Sequence, residues 1–261
     1  MSPTLSGYAP INGLNMYYEI YGAATKPLVL IHGGGSTIQS NWDRVIPTLA
    51  RSRQVIAVEM QAHGRTNDID RDFTFEQDAD DIAALLSFLE ISKADIFGFS
   101  NGGQTTLQVA IRHPQIVNRI VVASIGFSRD GFQPWFWPMM DKATFEGMPQ
   151  ALKDSFLKVN TDRDSLLKMY HRDSTRMQQF AGWPDDLIRS IKCPAFVVAG
   201  DKDVVTPAHV VHMSQLIAGS RIAILPGGHG DYLGECSTGN TDTNLHETFA
   251  RMVISFLEGS L

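Results

Sequence analysis

The stretch from residue 94 to residue 103 constrains the fold of this chain more than any other. Its first part, which ends at Phe99, is a mostly apolar run typical of a buried strand, and the residues beyond it have the pattern of a helix. Ser100 therefore lies on the turn between them. Gly98 and Gly102 flank this serine, and residues without side chains let a strand and a helix approach closely. The pattern predicts a hydroxyl on a tight, strained corner.

Short apolar runs and helical patterns alternate along the rest of the chain. Asn12 and Gly13 tolerate the positive φ angles of a tight hairpin turn, so a hairpin is predicted at the start. Further buried strands are predicted at Leu28–Ile31, Val55–Val58, Arg119–Ala123, Ala195–Ala199 and Arg221–Leu225. The intervening amphipathic patterns predict helices. This order predicts an α/β fold with a mostly parallel eight-stranded sheet flanked by helices.

The strand pattern stops between about Ser128 and Ile191, where helical sequence rich in Trp, Phe and Met replaces it. We therefore divide the chain into a core, residues 1–127 and 192–261, and a helical insertion, residues 128–191. Part of the apolar set must form the insertion's own core. A segment of this length has little interior, so we expect the rest to form the wall of an apolar pocket. The residues assigned to that pocket are Gly33, Trp135, Trp137, Met140 and Trp183.

Polar or glycine-rich loops follow several predicted strands, at the sheet edge where open α/β sheets bind ligands. The loop His32-Gly33-Gly34-Gly35 is either a flexible turn or an anion-binding loop whose N–H groups face Ser100. Two carboxylates, Asp201 and Asp203, follow the seventh strand. His229 lies in a glycine-rich loop after the last one. We expect the serine, a carboxylate and this histidine to meet at one edge of the sheet.

These residue types match the needs of nucleophilic catalysis. A serine hydroxyl is a poor nucleophile unless a base accepts its proton and a third group fixes that base. His229 and Asp203 can supply both functions. Attack on a carbonyl also creates an oxyanion, which needs two convergent N–H donors. The backbone amides of Gly34 and Asn101 are the expected pair.

The chain resembles the α/β-hydrolase superfamily over nearly its whole length. The motifs that carry the resemblance are His32–Gly35, the Gly98–Gly102 turn, Gly200-x-x-Asp203-x-x-x-Pro207 and Gly228-His229. The resemblance implies that Ser100 is the nucleophile, Asp203 the acid, His229 the base and the helical insertion a cap. Asp201 is a rival acid that lies off the family position. Asp130 stands at an alternative position for the acid that some members use.

The chain also departs from the family pattern. After the fourth strand the family usually has acidic-x-Arg-Gly-His-Gly-x-Ser, whereas this chain has Glu59-Met60-Gln61-Ala62-His63-Gly64-Arg65-Thr66. We interpret His63 as structural. Asn101 stands where many capped hydrolases carry Met or Gln, which leaves the substrate class open. A serine at position 100, instead of aspartate, argues against haloalkane dehalogenases and epoxide hydrolases.

The resemblance implies a cofactor-free hydrolase of carboxylic esters or lactones with an apolar acyl or aromatic portion. A carbon–carbon hydrolase of meta-cleavage products is the alternative, because His32–Gly35 followed by Ser40-Asn41-Trp42 resembles the glycine loop of that group. That group usually has Trp directly after the histidine, and here Gly230 follows His229. An alternative of another class is a non-catalytic receptor for a small ligand on the same fold.

Net charge and composition limit the classes of partner that are expected. The net charge is −6 and no run of Lys or Arg occurs, so nucleic acid and anionic membrane surfaces are not expected as partners. No apolar stretch reaches the length of a membrane span and the N-terminus lacks a signal-peptide pattern, so a cytoplasmic location is expected. His209 and His212 have metal-ligand spacing but no third ligand in view, so no metal or other cofactor is expected. The expected partner is a small-molecule substrate, and both a monomer and a homodimer remain open.

Overall fold

The computed structural model describes residues 1–238 and 244–261, and within them the strands form one eight-stranded sheet. Its spatial order is β1-β2-β4-β3-β5-β6-β7-β8. In chain order the strands are β1 (Leu5–Ile11), β2 (Leu14–Tyr21), β3 (Pro27–Ile31), β4 (Gln54–Val58), β5 (Ala94–Phe99), β6 (Val117–Ala123), β7 (Ala195–Gly200) and β8 (Arg221–Leu225). β2 pairs antiparallel with β1 and β4, and all other neighbours are parallel. The predicted α/β fold is confirmed.

The hairpin that opens the sheet has the predicted turn. Asn12 and Gly13 have φ angles of 46° and 83°, and Ile11 pairs with Leu14 across them. β1 starts at Leu5, although the outer half of this edge strand is exposed and carries no hydrophobic alternation. Its pairing with β2 defines it instead.

Helices cover both faces of the sheet. Their bounds are α1 (Ile38–Trp42), α2 (Ile46–Leu49), α3 (Phe75–Phe88), α4 (Asn101–Arg112), α5 (Phe136–Met140), α6 (Gln150–Val159), α7 (Arg163–Gln179), α8 (Asp185–Arg189), α9 (Pro207–Leu216) and α10 (Leu245–Leu257). Helices α3, α4 and α9 pack on one face with Ile96, and α1, α2 and α10 pack on the other with Phe97. Consecutive residues of β5 thus point to opposite layers, as strand geometry requires. Among the described residues no helix is long and apolar enough to cross a membrane.

The chain between β6 and β7 contains helices α5 to α8, and Phe132 forms an isolated β-bridge with Val205 of the core. Phe156, Leu166 and Met169 form a small apolar cluster of this insertion together with Ala62. Other apolar side chains of the insertion pack against the main core. Helix α7 therefore lies over the carboxyl edge of the sheet, where it can contribute to a site.

Candidate active site

Ser100 occupies a sharp turn between β5 and α4. Its φ and ψ are 52° and −125°, a strained conformation for a residue with a side chain. Its N–H donates to the carbonyl of Ala123 at 2.9 Å, which fixes the turn to β6. A Cβ on Gly102 would overlap the carbonyl oxygens of Ile31 and His32, so this position requires glycine. Local packing thus projects the serine hydroxyl above the sheet edge.

Three side chains from separate loops meet at this edge. The hydroxyl of Ser100 lies 3.0 Å from Nε2 of His229, and Nδ1 of His229 lies 2.7 Å from Oδ1 of Asp203. The loops follow β5, β8 and β7, parallel strands whose carboxyl ends share one edge. In this arrangement Nδ1–H donates to the carboxylate, and Nε2 accepts from the serine hydroxyl. The geometry is that of a nucleophile, a base and an orienting acid.

The electrostatics of this chain favour charge on the histidine. Burial disfavours the imidazolium of His229, but the Asp203 carboxylate outweighs it and raises the histidine pKa. Burial would raise the pKa of Asp203, but His229 and the hydrogen bonds to the carboxylate lower it. Asp203 is therefore an anion that favours a proton on His229.

The second oxygen of Asp203 has its own partners, which the sequence did not indicate. It accepts from the hydroxyl of Ser124 and, at 3.1 Å, from the N–H of Gly200. Tyr232 places its hydroxyl 2.6 Å from that of Ser124. Ser124 directly follows β6, and this position at a strand end is the sequence feature that could have identified it as a site residue.

The two other candidate acids, Asp201 and Asp130, have hydrogen-bond partners other than His229. Asp201 is exposed and accepts from the N–H of Gly227 at 2.8 Å. Asp130 accepts from the hydroxyl of Ser128. Within the described residues neither is hydrogen-bonded to His229, so the structure brings Asp203 and not these two against the histidine.

The glycine loop after β3 lies against Ser100. A Cβ on Gly33 would lie 3.2 Å from the Cβ of Ser100. The N–H of Gly33 donates to Oδ1 of Asn41 at 2.7 Å, and the N–H of Gly35 donates to Asp173 at 2.7 Å. In the described part of the chain the N–H groups of Gly34 and Asn101 have no acceptor, and first-turn amides such as that of Asn101 lack an intrahelical one. Both residues line the cavity over Ser100, so these two N–H groups are available to donate to a bound group.

A cavity of about 770 Å³ opens over Ser100 and His229. Most of its wall is apolar and comes from the insertion: Phe132, Phe136, Met139, Met140, Met148, Leu152, Met169 and Met177. Among its described lining residues, those with acidic or basic side chains besides His229 are Lys142, Asp173 and Glu235. The cavity suits a mainly apolar molecule with a reactive polar group at the serine.

The predicted pocket residues divide into two groups. Gly33 and Met140 line the cavity, whereas Trp135, Trp137 and Trp183 do not. The indole of Trp135 is 51 % exposed. Trp137 donates to the carbonyl of Arg129 at 2.7 Å, and Trp183 donates to Glu76 at 3.1 Å. The indoles of Trp137 and Trp183 pack where their N–H finds an acceptor, outside the cavity, and that of Trp135 is half exposed, so the structure differs here from the prediction.

The histidines singled out as a metal pair have other contacts. Nε2 of His209 accepts from the N–H of Phe127 at 3.1 Å, and His212 lies 3.2 Å from Asp185. Over residues 1–238 and 244–261 no cluster of three potential ligands could hold a metal ion.

Comparison with known proteins places this chain in a family. The family model described as Alpha/beta hydrolase family matches residues 28–236. Serine hydrolase BPHL of Homo sapiens is 25 % identical over 239 residues, which cover 85 % of this chain and 79 % of that protein. The 2-hydroxymuconate semialdehyde hydrolase of Pseudomonas sp. (strain CF600) is 31 % identical over 232 residues, 76 % of this chain and 81 % of that enzyme.

Solved structures agree with this assignment. A serine hydrolase involved in carbazole degradation, the CarC enzyme, superposes with a TM-score of 0.78 at 28 % identity over 97 % of this chain and 98 % of its own. The enol-lactonase from Burkholderia xenovorans LB400 has a TM-score of 0.76 at 25 % identity over 96 % and 99 %. Because the family match spans most of the chain and the fold agrees, this protein belongs to the α/β-hydrolase family and is a hydrolase.

Proposed function

We propose that this protein is a serine hydrolase that cleaves a carboxylic ester or lactone with an apolar acyl or aromatic portion. One observation carries the proposal: the hydrogen-bonded chain Ser100–His229–Asp203 opens into a largely apolar cavity beside two N–H groups without acceptors. In this proposal residues 1–127 and 192–261 form the core domain, and the helical insertion is its cap.

The first half-reaction forms an acyl-enzyme. Ser100 Oγ attacks the carbonyl carbon while its proton passes to Nε2 of His229, and the carbonyl electron pair moves to the oxygen. The resulting oxyanion accepts hydrogen bonds from the N–H groups of Gly34 and Asn101. The carbonyl then re-forms, the bond to the leaving alkoxide breaks, and that oxygen takes the proton from His229. In a lactone the leaving alcohol stays attached to the acyl group.

The second half-reaction releases the acid. His229 takes a proton from water, and the water oxygen attacks the carbonyl carbon of the acyl-enzyme. Collapse of the second oxyanion breaks the bond to Ser100 Oγ, which recovers its proton from His229. Asp203 stays ionised throughout and keeps the imidazole in one tautomer.

Carbon–carbon hydrolysis is the second candidate, since relatives of this chain include such enzymes by name. The 2-hydroxy-6-oxo-2,4-heptadienoate hydrolase of Pseudomonas putida is 29 % identical over 77 % of this chain. A dienoate carries a carboxylate, which a buried cation would stabilise. In the described cavity lining Glu235 is acidic, the charge of Asp173 is offset by Arg176 and His63, and the one lysine, Lys142, is exposed. This charge distribution favours a neutral substrate.

A parallel assay tests the two activities. We expect kcat/KM for p-nitrophenyl esters or lactones to exceed that for 2-hydroxy-6-oxo-2,4-heptadienoate by at least about tenfold, given the unfavourable charge of the cavity. Ser100→Ala is the control, and all turnover must vanish in it while ligand affinity persists. A dienoate preference would establish the second candidate. Ligand binding without any burst of product would establish the receptor alternative.

A further inference from the structure

A carboxylate of the insertion contacts residues close to the backbone N–H groups of Gly34 and Asn101, which have no acceptor among the described residues. Asp173, on α7, accepts the N–H of Gly35 at 2.7 Å through Oδ2. Its Oδ1 lies 3.4 Å from Nδ2 of Asn101. Gly34 lies between these contacts, since a Cβ there would be 2.6 Å from Asn101 Nδ2 and 3.0 Å from Asp173 Oδ2. Asp173 thus joins the glycine loop to the start of α4 across the oxyanion site.

A carboxylate this close to a developing oxyanion would oppose catalysis unless its charge were offset. His63 Nε2 lies 2.8 Å from Oδ2 of Asp173, and Arg176 donates to Oδ1 at 2.9 Å. Nδ1 of His63 faces the carbonyl of Gln61 at 2.9 Å, so each ring nitrogen has an acceptor within hydrogen-bond distance and an imidazolium can donate to both. The N–H of Gly35 also points toward Nε2, at 3.3 Å, but its shorter contact is the one of 2.7 Å to Asp173. Burial disfavours this charge, but Asp173 outweighs it and raises the pKa of His63.

The ion chain continues into the core. Arg176 also donates to Asp78 of α3 at 2.6 Å, so charges alternate along His63, Asp173, Arg176 and Asp78. Asp173 and Arg176 are 9 % and 8 % exposed. Such buried pairs contribute little net stability compared with an apolar core, whereas they fix geometry closely. Of the two carboxylates, only Asp173 contacts the glycine loop; Asp78 lies on the far side of Arg176.

We infer that Asp173 is a positioning residue that sets the spacing of the oxyanion donors Gly34 and Asn101, so that docking of α7 completes the oxyanion hole. This inference rests on the proposed function for its effect on turnover. His63, which we interpreted from the sequence as structural, is then the counter-ion of Asp173 and affects the oxyanion site indirectly. The inference predicts a specific loss of transition-state stabilisation when Asp173 is changed, beyond any loss of stability.

The test compares Asp173→Asn with the matched control Asp78→Asn, which removes one carboxylate of the same ion chain without touching the loop. We expect Asp173→Asn to lower kcat about 100-fold with KM changed less than about threefold, because displaced donors weaken only the transition-state contact. An arylboronic acid, whose adduct with Ser100 places an oxygen at the oxyanion position, should lose affinity by a similar factor. Both variants should lower Tm, but Asp78→Asn should change kcat less than about threefold.

A second variant and a second measurement keep the test decisive. Asn101→Ala removes the Nδ2 contact but keeps the backbone N–H and all buried charges, and should lower kcat by about tenfold. Hydrogen exchange of the segment 32–37 should accelerate in Asp173→Asn and not in Asp78→Asn. Equal effects of the two aspartate variants, or unchanged exchange of that segment, would overturn the inference. Hydrogen exchange still tests whether Asp173 positions the glycine loop if wild type neither hydrolyses esters nor binds the boronic acid. That outcome would separately refute the proposed function.

Discussion

The hydroxyl of Ser124 donates a hydrogen bond to Asp203, on the carboxylate oxygen that His229 does not use. Ser124 holds a positive φ of 57° to reach it. Burial raises the pKa of Tyr232 well above its usual value, so the phenol keeps its proton and donates to Ser124. Two hydroxyl groups therefore help to fix the orientation of the Asp203 carboxylate.

Replacing Ser124 with alanine is expected to lower kcat about tenfold, because a hydrogen bond to a charged group is worth roughly 1.5–3 kcal/mol. Ser124→Gly is the matched control, since glycine accepts the positive φ and also lacks the hydroxyl. The two variants should lose the same factor in kcat although their Tm values differ. Normal turnover of Ser124→Gly would show that the hydroxyl has no part in orienting Asp203.

The two carboxylates after β7 should behave differently. Asp203→Asn is expected to lower kcat by about 10⁴-fold, as in the serine-protease example, because the amide holds His229 in the wrong tautomer. Within residues 1–238 and 244–261 the side chain of Asp201 accepts from the N–H of Gly227 and not from His229, so Asp201→Asn should change kcat little. Steady-state kinetics on one ester decides between them. The reverse order of effects would mean that Asp203 is not the acid.

The pH profile should report the coupling between His229 and Asp203. In the proposed mechanism His229 must be neutral to act as the base, so activity should fall as pH drops through its pKa. Burial alone would lower that pKa, but the Asp203 carboxylate raises it. We therefore expect kcat/KM to reach half its plateau above pH about 6.5, the ordinary imidazole value. In Asp203→Asn the residual activity should have its midpoint at lower pH, and an unchanged midpoint would contradict this coupling.

The sequence predicted the parts of the fold and site that follow from local pattern. Buried strands, the glycine-flanked turn and polar residues directly after strands led to Ser100, Asp203 and His229, because parallel strands bring their carboxyl ends together. Ser124 also follows a parallel strand, but the sequence analysis did not single it out, because a serine there carries no chemical signal without its contact to Asp203.

The insertion was harder to predict for a physical reason. Helical spacing shows that large apolar groups are buried, but not which surface covers them. Phe132 and Phe136 line the cavity, whereas Trp137 turns away to bond the carbonyl of Arg129. Asp173 lies in a strongly charged helix that resembles a solvated one, and only the docking of α7 on the core buries it.

Substrate preference should depend on the apolar wall of the cavity and not on the tryptophans. Met140 lines the cavity, so Met140→Ala should enlarge it and shift the preferred acyl chain of p-nitrophenyl esters to greater length. Each buried CH₂ contributes about 0.8 kcal/mol, or about fourfold in kcat/KM, which also makes wild type slower on acetyl than on medium-chain or aryl esters. Trp135→Ala is the control, because that side chain is 51 % exposed and outside the cavity. Its chain-length profile should match wild type. A profile unchanged by Met140→Ala but accompanied by a lower Tm would mean that this methionine only stabilises the insertion, and the apolar-substrate proposal would then lose its main structural support.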